Sequence, residues 1–139
     1  MKGEFFTGKG FISAGFLNLT PREAYTEAME HQAVIVDVRD MNLTGFRQFD
    51  IPEVLFVPLS VIIQNPESVP RDKPIILADS TGLRSHDAMD ILIKAGYTNI
   101  ANLAGGLVEW ERDGMPVLKN KSEQLDGSCI CQLKPGRKG

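Results

Sequence analysis

A nine-residue stretch, LADSTGLRS (residues 77–85), brings together a carboxylate, three hydroxyl groups, a glycine and a guanidinium group. The apolar run PIILA before it predicts a strand, and HDAMDILIKAG after it predicts a helix. A short glycine-containing loop between a strand and a helix points several backbone N–H groups in one direction, an arrangement that suits an anion. We therefore interpret this stretch as an anion-binding loop made of Asp79, Ser80, Thr81, Gly82, Leu83, Arg84 and Ser85.

Asp79 stands first in this loop, where a thiol or hydroxyl group would be the useful nucleophile. Some enzymes do use a carboxylate to accept a phosphoryl group, but their sites include a metal or a lysine, and this loop has neither a lysine nor a second acid. We expect the Asp79 carboxylate to lie against the loop N–H groups or Arg84, in the place of a bound anion. Three interpretations stay open: a capped helix start without a ligand, a loop that binds a ligand or partner, and a hidden catalytic role.

Few other residues are candidates for chemistry. Asp37 and Arg39 follow an apolar run and are interpreted as a supporting ion pair, because buried charges need partners. Trp110 is interpreted as a core residue. His31 and His86 lack metal-ligand spacing, so we place them at the surface or at helix ends. The sequence predicts no metal site and no cofactor.

The composition limits the classes of function. A chain of 139 residues with 42% hydrophobic residues is long enough for one domain with one sizeable core. The net charge of −3, without a dense basic stripe ahead of the C-terminal segment, argues against a nucleic-acid partner. No segment approaches the roughly 18 apolar residues of a membrane span. We therefore expect a cytoplasmic protein that binds neither nucleic acid nor membrane.

The elements that must position the loop alternate along the chain. Strands are predicted at FLNL, AVIVDV, EVLFVPLS, PIILAD and TNIANL. RDMNLTGFRQFDIP is predicted as a loop with a weak helix.

A helix is predicted to begin at Thr20 with a capping box to Glu23. Ala24, Tyr25, Ala28 and Met29 are expected to share one face of this helix. Further helices are predicted from Leu83 to Ala95 and over LVEWERDG. The fold class is α/β, an open, mostly parallel sheet of about five strands with helices on both faces, and Asp79 lies where such sheets bind ligands.

Three sequence blocks resemble the rhodanese-like domain family. IVDVRD is similar to the family's Asp-Val-Arg strand end, and FDIPEVLFVPL is similar to its Gly-His-Ile-Pro-Gly-Ala segment. GYTNIANLAGGLVEWERDGMPV resembles the family's closing block of paired glycines, tryptophan and Gly-x-Pro-Val. The resemblance implies a loop that begins with a cysteine, continues to an arginine five residues later, and cradles a cysteine persulfide during sulfur transfer. Arg84 fits that arginine, whereas Asp79 stands at the cysteine and Asp50 at the histidine.

The C-terminal segment contains both cysteines of the chain, Cys129 and Cys131. A disulfide between residues two apart is strained, and two thiolates fall short of the four ligands of a structural zinc site. We divide the chain into an N-terminal extension or edge segment (residues 1–17), a rhodanese-like domain (residues 18–118) and a flexible tail (residues 119–139). A plain disordered tail, a redox or sulfur-carrying thiol pair and a metal site shared between chains remain open for it.

Two functions and one outsider follow from these residues. The first is a non-catalytic rhodanese-like module whose loop binds a small sulfur anion or a partner protein, and we prefer it because a carboxylate cannot hold sulfane sulfur. The second is a sulfur carrier or sulfurtransferase that works through Cys129 and Cys131. The outsider is a phosphate-accepting receiver domain. Such a domain is expected to have a lysine after its last strand, and NLAGG in this chain has none.

Overall fold

The main sheet has six strands and is parallel except at one edge. A computed structural model describes residue 6 and residues 10–13, 15–40 and 47–119 of the chain. The strands of the main sheet are β1 (Phe11–Ser13), β2 (Phe16–Leu19), β3 (Val34–Asp37), β5 (Val54–Phe56), β6 (Ile75–Ala78) and β7 (Ile100–Leu103). They lie in the order β1-β2-β7-β6-β3-β5, and only the edge pair β1 and β2 is antiparallel.

Two further strands form an antiparallel ribbon beside this sheet. They are β4 (Arg47–Phe49) and β8 (Val117–Lys119), with Arg47 opposite Lys119. The sequence prediction of a loop with a weak helix is therefore wrong for residues 47–49. These residues form a strand because they pair with β8, which is distant in the sequence, and no local pattern predicts that pairing. Residues 41–46 of that prediction lie outside the described residues.

Helices cover both faces of the main sheet, as the fold class requires. They are α1 (Pro21–Glu30), α2 (Leu59–Gln64), α3 (Leu83–Lys94) and α4 (Gly106–Arg112), and a short 3-10 turn spans Pro66–Ser68. Helices α1 and α4 pack with Ile35 and Ile76 on one face. Helices α2 and α3 pack with the residues on the other face, among them Val36 and Leu77. Strands buried on both faces explain the near-continuous apolar runs in the sequence.

Local signals place the helix ends where the sequence predicts them. Thr20 accepts a hydrogen bond from the Glu23 N–H, and the Glu23 carboxylate accepts one from the Thr20 N–H, which completes the capping box. Gly96 follows α3 at φ +93°, the left-handed conformation expected of a helix stop. The four residues predicted to share a face of α1 are not equally buried: Met29 is 48% exposed, whereas Glu27 outside that set is buried and its carboxylate lies 3.1 Å from His31.

Candidate anion-binding site

The Asp79 side chain fills the loop from within. Strand β6 ends at Ala78, so Asp79 starts the loop at the carboxyl end of the sheet, and it is buried. One carboxylate oxygen accepts a hydrogen bond from the Gly82 N–H, and the other accepts one from the Arg84 N–H at 2.6 Å. The N-cap residue of α3, Gly82, contributes no side-chain cap, so the Asp79 carboxylate supplies it. The sequence predicts this carboxylate either against the loop N–H groups or against Arg84. In the structure it lies against the loop N–H groups.

The backbone of the loop is held by the start of α4. The Leu107 N–H donates to the Asp79 carbonyl at 2.8 Å, and the Val108 N–H donates to the Ser80 carbonyl at 3.0 Å. Gly106 permits this approach, because a Cβ there would lie 2.5 Å from the Asp79 carbonyl oxygen. The loop backbone is therefore fixed by contacts that do not depend on the side chain at position 79.

Arg84 points its charge toward the mouth of the loop. Its guanidinium group is about half exposed and lies 3.9 Å from the similarly exposed Asp40 carboxylate. Leu83 beside it is 73% exposed. A cavity of about 210 Å³ opens here, lined among the described residues by Arg39, Asp79, Ser80, Thr81, Leu83 and Arg84. The loop thus combines an internal carboxylate with an outward guanidinium group and an apolar rim.

Asp37 and Arg39 form the buried ion pair expected from the sequence. The Arg39 Nη2 lies 2.7 Å from Asp37 Oδ2, and its Nε donates to Asp37 Oδ1 at 3.0 Å. The same Nη2 also donates to the Arg47 carbonyl at 2.7 Å, which attaches β4 to the end of β3. Arg39 and Ser80 also line a second cavity of about 240 Å³ with Arg47, Leu107, Val108 and Glu111. The pair therefore connects the end of β3 to the ribbon, and Arg39 lines both cavities.

The other predicted residues divide between core and surface. Trp110 is fully buried and its indole N–H donates to the Pro116 carbonyl at 2.7 Å, which confirms its role in the core. The His31 side chain is 54% exposed at the end of α1, and His86 is half-buried in the first turn of α3. Cys129 and Cys131 lie outside the described residues.

Sequence reasoning missed two buried asparagines beside the loop. The buried Ser85 hydroxyl donates to the Asn102 side chain, and Asn102 Nδ2 donates to Asn18 Oδ1 at 2.8 Å. The available signal was one asparagine in each of two otherwise apolar strands, FLNL and IANL. A buried amide needs hydrogen-bond partners, so an isolated asparagine in such a strand predicts a polar contact across the core.

Residues 10–13, 15–40 and 47–119 hold neither a cluster of metal ligands nor a helix that could span a membrane. Within those ranges the structure contains no group of three or more histidine, cysteine or acidic residues arranged to hold a metal ion. In the same part of the chain, every helix is too short or too polar to cross a bilayer.

Comparison with known proteins identifies the family to which the chain belongs. The Rhodanese-like domain family model matches residues 20–113, which include the loop. A sulfurtransferase of Allochromatium vinosum is 31% identical over 101 residues, covering 73% of this chain and 89% of that protein. A thiosulfate sulfurtransferase of Actinobacillus succinogenes is 24% identical over 102 residues, covering 73% of this chain and 90% of that protein. The chain belongs to the rhodanese-like domain family.

A solved structure shares the same architecture. A rhodanese-related protein from Thermoplasma volcanium matches with a TM-score of 0.63 at 24% identity, covering 73% of this chain and 96% of that chain. At this level of identity the likeness concerns the fold alone, so the activity of this chain has to be argued from its own residues.

Proposed function

We propose that this rhodanese-like domain is a binding module for an anionic group, carried by a small sulfur anion or by a partner protein, and that it transfers no sulfur at residues 79–85. Two observations carry the proposal: both carboxylate oxygens of Asp79 accept hydrogen bonds from the loop N–H groups, and the guanidinium group of Arg84 stays half exposed beside the cavity, where an external anion can bind. The internal carboxylate occupies the donors that would otherwise hold a sulfur anion.

The chemistry of sulfur transfer requires a group that Asp79 lacks. A sulfurtransferase of this kind needs a thiolate that attacks the donor sulfur and then carries it as a persulfide. A carboxylate forms no such adduct. Both cysteines of the chain stand at positions 129 and 131, far along the sequence from the loop. Loop residues therefore retain the architecture of the family without its nucleophile.

The mouth of the loop offers what a bound group would contact. Arg84 is about half exposed, and its distance of 3.9 Å from Asp40 makes an exposed ion pair that contributes little and is easily exchanged for another anion. The neighbouring Leu83 presents apolar surface at the same mouth. An acidic group flanked by apolar atoms, as on a protein partner, is complementary to this combination of charge and apolar rim.

A second candidate function has one observation in its favour. Relatives that match about three quarters of the chain are named sulfurtransferases. In that case the working thiols of this chain are Cys129 and Cys131.

An assay of thiosulfate:cyanide sulfur transfer on the full chain and on the C129S/C131S variant separates the two functions. We expect no turnover in either protein. Turnover that requires the two cysteines supports the sulfur relay, and turnover without them contradicts the absence of chemistry at the loop.

Binding at the mouth is tested by titration with thiosulfate, followed by NMR. We expect the amide resonances of Ser80 and Arg84 to move, and we expect Arg84→Gln to weaken the binding several-fold because the outward charge is lost. Lys94→Gln is the matched control, since Lys94 is an exposed cation at the other end of the same helix. Equal weakening in both variants would show general charge screening and would contradict a site at Arg84.

A further inference from the structure

A continuous chain of buried polar side chains connects the loop with the edge of the sheet. Ser85, in the first turn of α3, donates to Asn102 on β7, and Asn102 donates to Asn18 on β2. Asn18 Nδ2 in turn donates to the Phe16 carbonyl at 2.9 Å and to the Ser13 carbonyl at 3.3 Å. The side chains of Ser85, Asn102 and Asn18 are all at least 97% buried. Hydrogen bonds in such a setting are strong, and losing one partner leaves a costly unpaired group.

A second contact joins the same two regions. The ring of Phe16 on β2 packs edge-on against His86, with ring centroids 5.4 Å apart. His86 directly follows Ser85, so the hairpin formed by β1 and β2 contacts the first turn of α3 directly at His86 and, through Asn102 of β7, at Ser85. One contact is polar and the other aromatic, and they fix the start of this helix laterally against the sheet.

The start of α3 is also where the loop geometry is set. The Gly82 and Arg84 N–H groups that hold the Asp79 carboxylate belong to the N-cap and the first turn of this helix. A shift of that turn by a fraction of an ångström changes both hydrogen bonds, because packed interiors transmit displacement. The two strands of the hairpin, residues 11–13 and 16–19, precede the segment that the family model matches.

We infer that Asn18 and Asn102 are positioning residues for the Asp79 loop, and that the β1–β2 hairpin sets the loop geometry through them and through Phe16. The inference rests on the proposed function only in treating residues 79–85 as the site. The hairpin is thus more than a cover for the sheet edge. A change in its packing alters the orientation of the N–H groups in the loop.

Amide hydrogen exchange in the full-length protein tests this inference without any ligand. In Asn18→Ala we expect the Gly82 and Arg84 amides to exchange about tenfold faster relative to the Ile76 amide in β6, the effect of losing one buried hydrogen bond at a locally opening segment. Because no anion is added, a loop that binds no anion leaves this readout unaffected. Failure of the proposed function and failure of the inference are therefore distinguishable.

The matched control is Asn99→Ala. Asn99 is as buried as Asn18, but it donates to the Pro70 and Lys73 carbonyls at the other end of the sheet. Its loss is expected to change the loop amides no more than the Ile76 amide. A selective effect on the loop amides in Asn99→Ala, or none in Asn18→Ala, overturns the inference.

Ser85→Ala provides a second route with a smaller change. It removes only the hydroxyl at the loop end of the chain, and we expect it to speed exchange of the Gly82 and Arg84 amides as Asn18→Ala does. Combining the two substitutions is expected to add little to either one, because both interrupt the same chain of hydrogen bonds. Fully additive effects show that Asn18 does not act on the loop through Ser85, and overturn the inference.

Discussion

The two ends of the parallel sheet satisfy their polar groups in different ways. At the amino end, the neutral side chains of Asn99 and Tyr97 donate to backbone carbonyls: Asn99 to Lys73 at 2.6 Å and Tyr97 to Pro66 at 2.7 Å. At the carboxyl end, charged groups predominate, with Asp79 turned inward and Arg84 turned outward beside a cavity. Neutral donors that face carbonyls satisfy each other, whereas a charge beside a cavity is typical of a binding site.

The largest expected effect tests how strongly the carboxyl end depends on its buried charges. Asp37→Ala leaves the guanidinium of Arg39 buried without its carboxylate, and we expect the free energy of unfolding to fall by about 3–5 kcal/mol. Asp90→Ala is the control, because it breaks an exposed pair with Lys94 and should cost less than about 1 kcal/mol. Urea unfolding measures both. Similar losses in the two variants would show that the buried pair contributes no more to stability than the exposed pair.

A glycine substitution tests whether backbone contacts hold the loop. In Gly106→Ala the new Cβ meets the Asp79 and Ser80 carbonyl groups, and we expect a loss of about 2–4 kcal/mol with shifted loop amides. Gly114 also has a positive φ, but a Cβ there meets no atom within 4 Å. Gly114→Ala should therefore cost only about 1 kcal/mol, the price of the left-handed backbone. Thermal unfolding with amide spectra checks both, and equal costs would contradict a close approach at Gly106.

Removing the internal carboxylate tests whether it occupies the place of a bound anion. We expect Asp79→Ala to bind sulfate about tenfold more tightly than the parent protein, because the Gly82 and Arg84 N–H groups are released for an external anion. Asp87→Ala is the charge-matched control, since Asp87 is an exposed acid on the same helix. Calorimetry gives the affinities. An equal gain in both variants would indicate net charge alone, and no gain in Asp79→Ala would count against self-occupancy.

The smallest expected effect belongs to the amino end. Burial and the Glu67 carboxylate raise the pKa of the Tyr97 phenol, while Arg71 opposes them. A pKa raised by folding means that the folded state favours the neutral phenol. The contribution of this phenol to the free energy of unfolding is complete below a pH of about 10 and is lost as the pH rises through the pKa of the folded state. Tyr97→Phe should cost about 1 kcal/mol at pH 7 and flatten this alkaline loss. Unfolding measured at a series of pH values checks this prediction, and the affinity for sulfate should not change in Tyr97→Phe.

Much of the loop and its surroundings follows from local sequence. The Thr20 capping box, the stop at Gly96 and the position of Asp79 after an apolar strand are decided within a few residues, so a single chain segment reveals them. The pair Asp37 and Arg39 was predictable for the same reason. The alternation of apolar strands with helices also predicts the α/β class, since each element must bury its apolar face against another.

Other features depend on segments far apart in the chain, and no local pattern contains them. Arg47–Phe49 becomes a strand only because Val117–Lys119 lies beside it. Asn18 and Asn102 meet only because β2 and β7 are neighbours in the sheet. The sequence by itself determined most elements of the main sheet and the aspartate at position 79. Only the tertiary structure decided that the Asp79 carboxylate faces inward, that the Arg84 charge faces outward and that an edge hairpin contacts the loop, because strand order and packing set those directions.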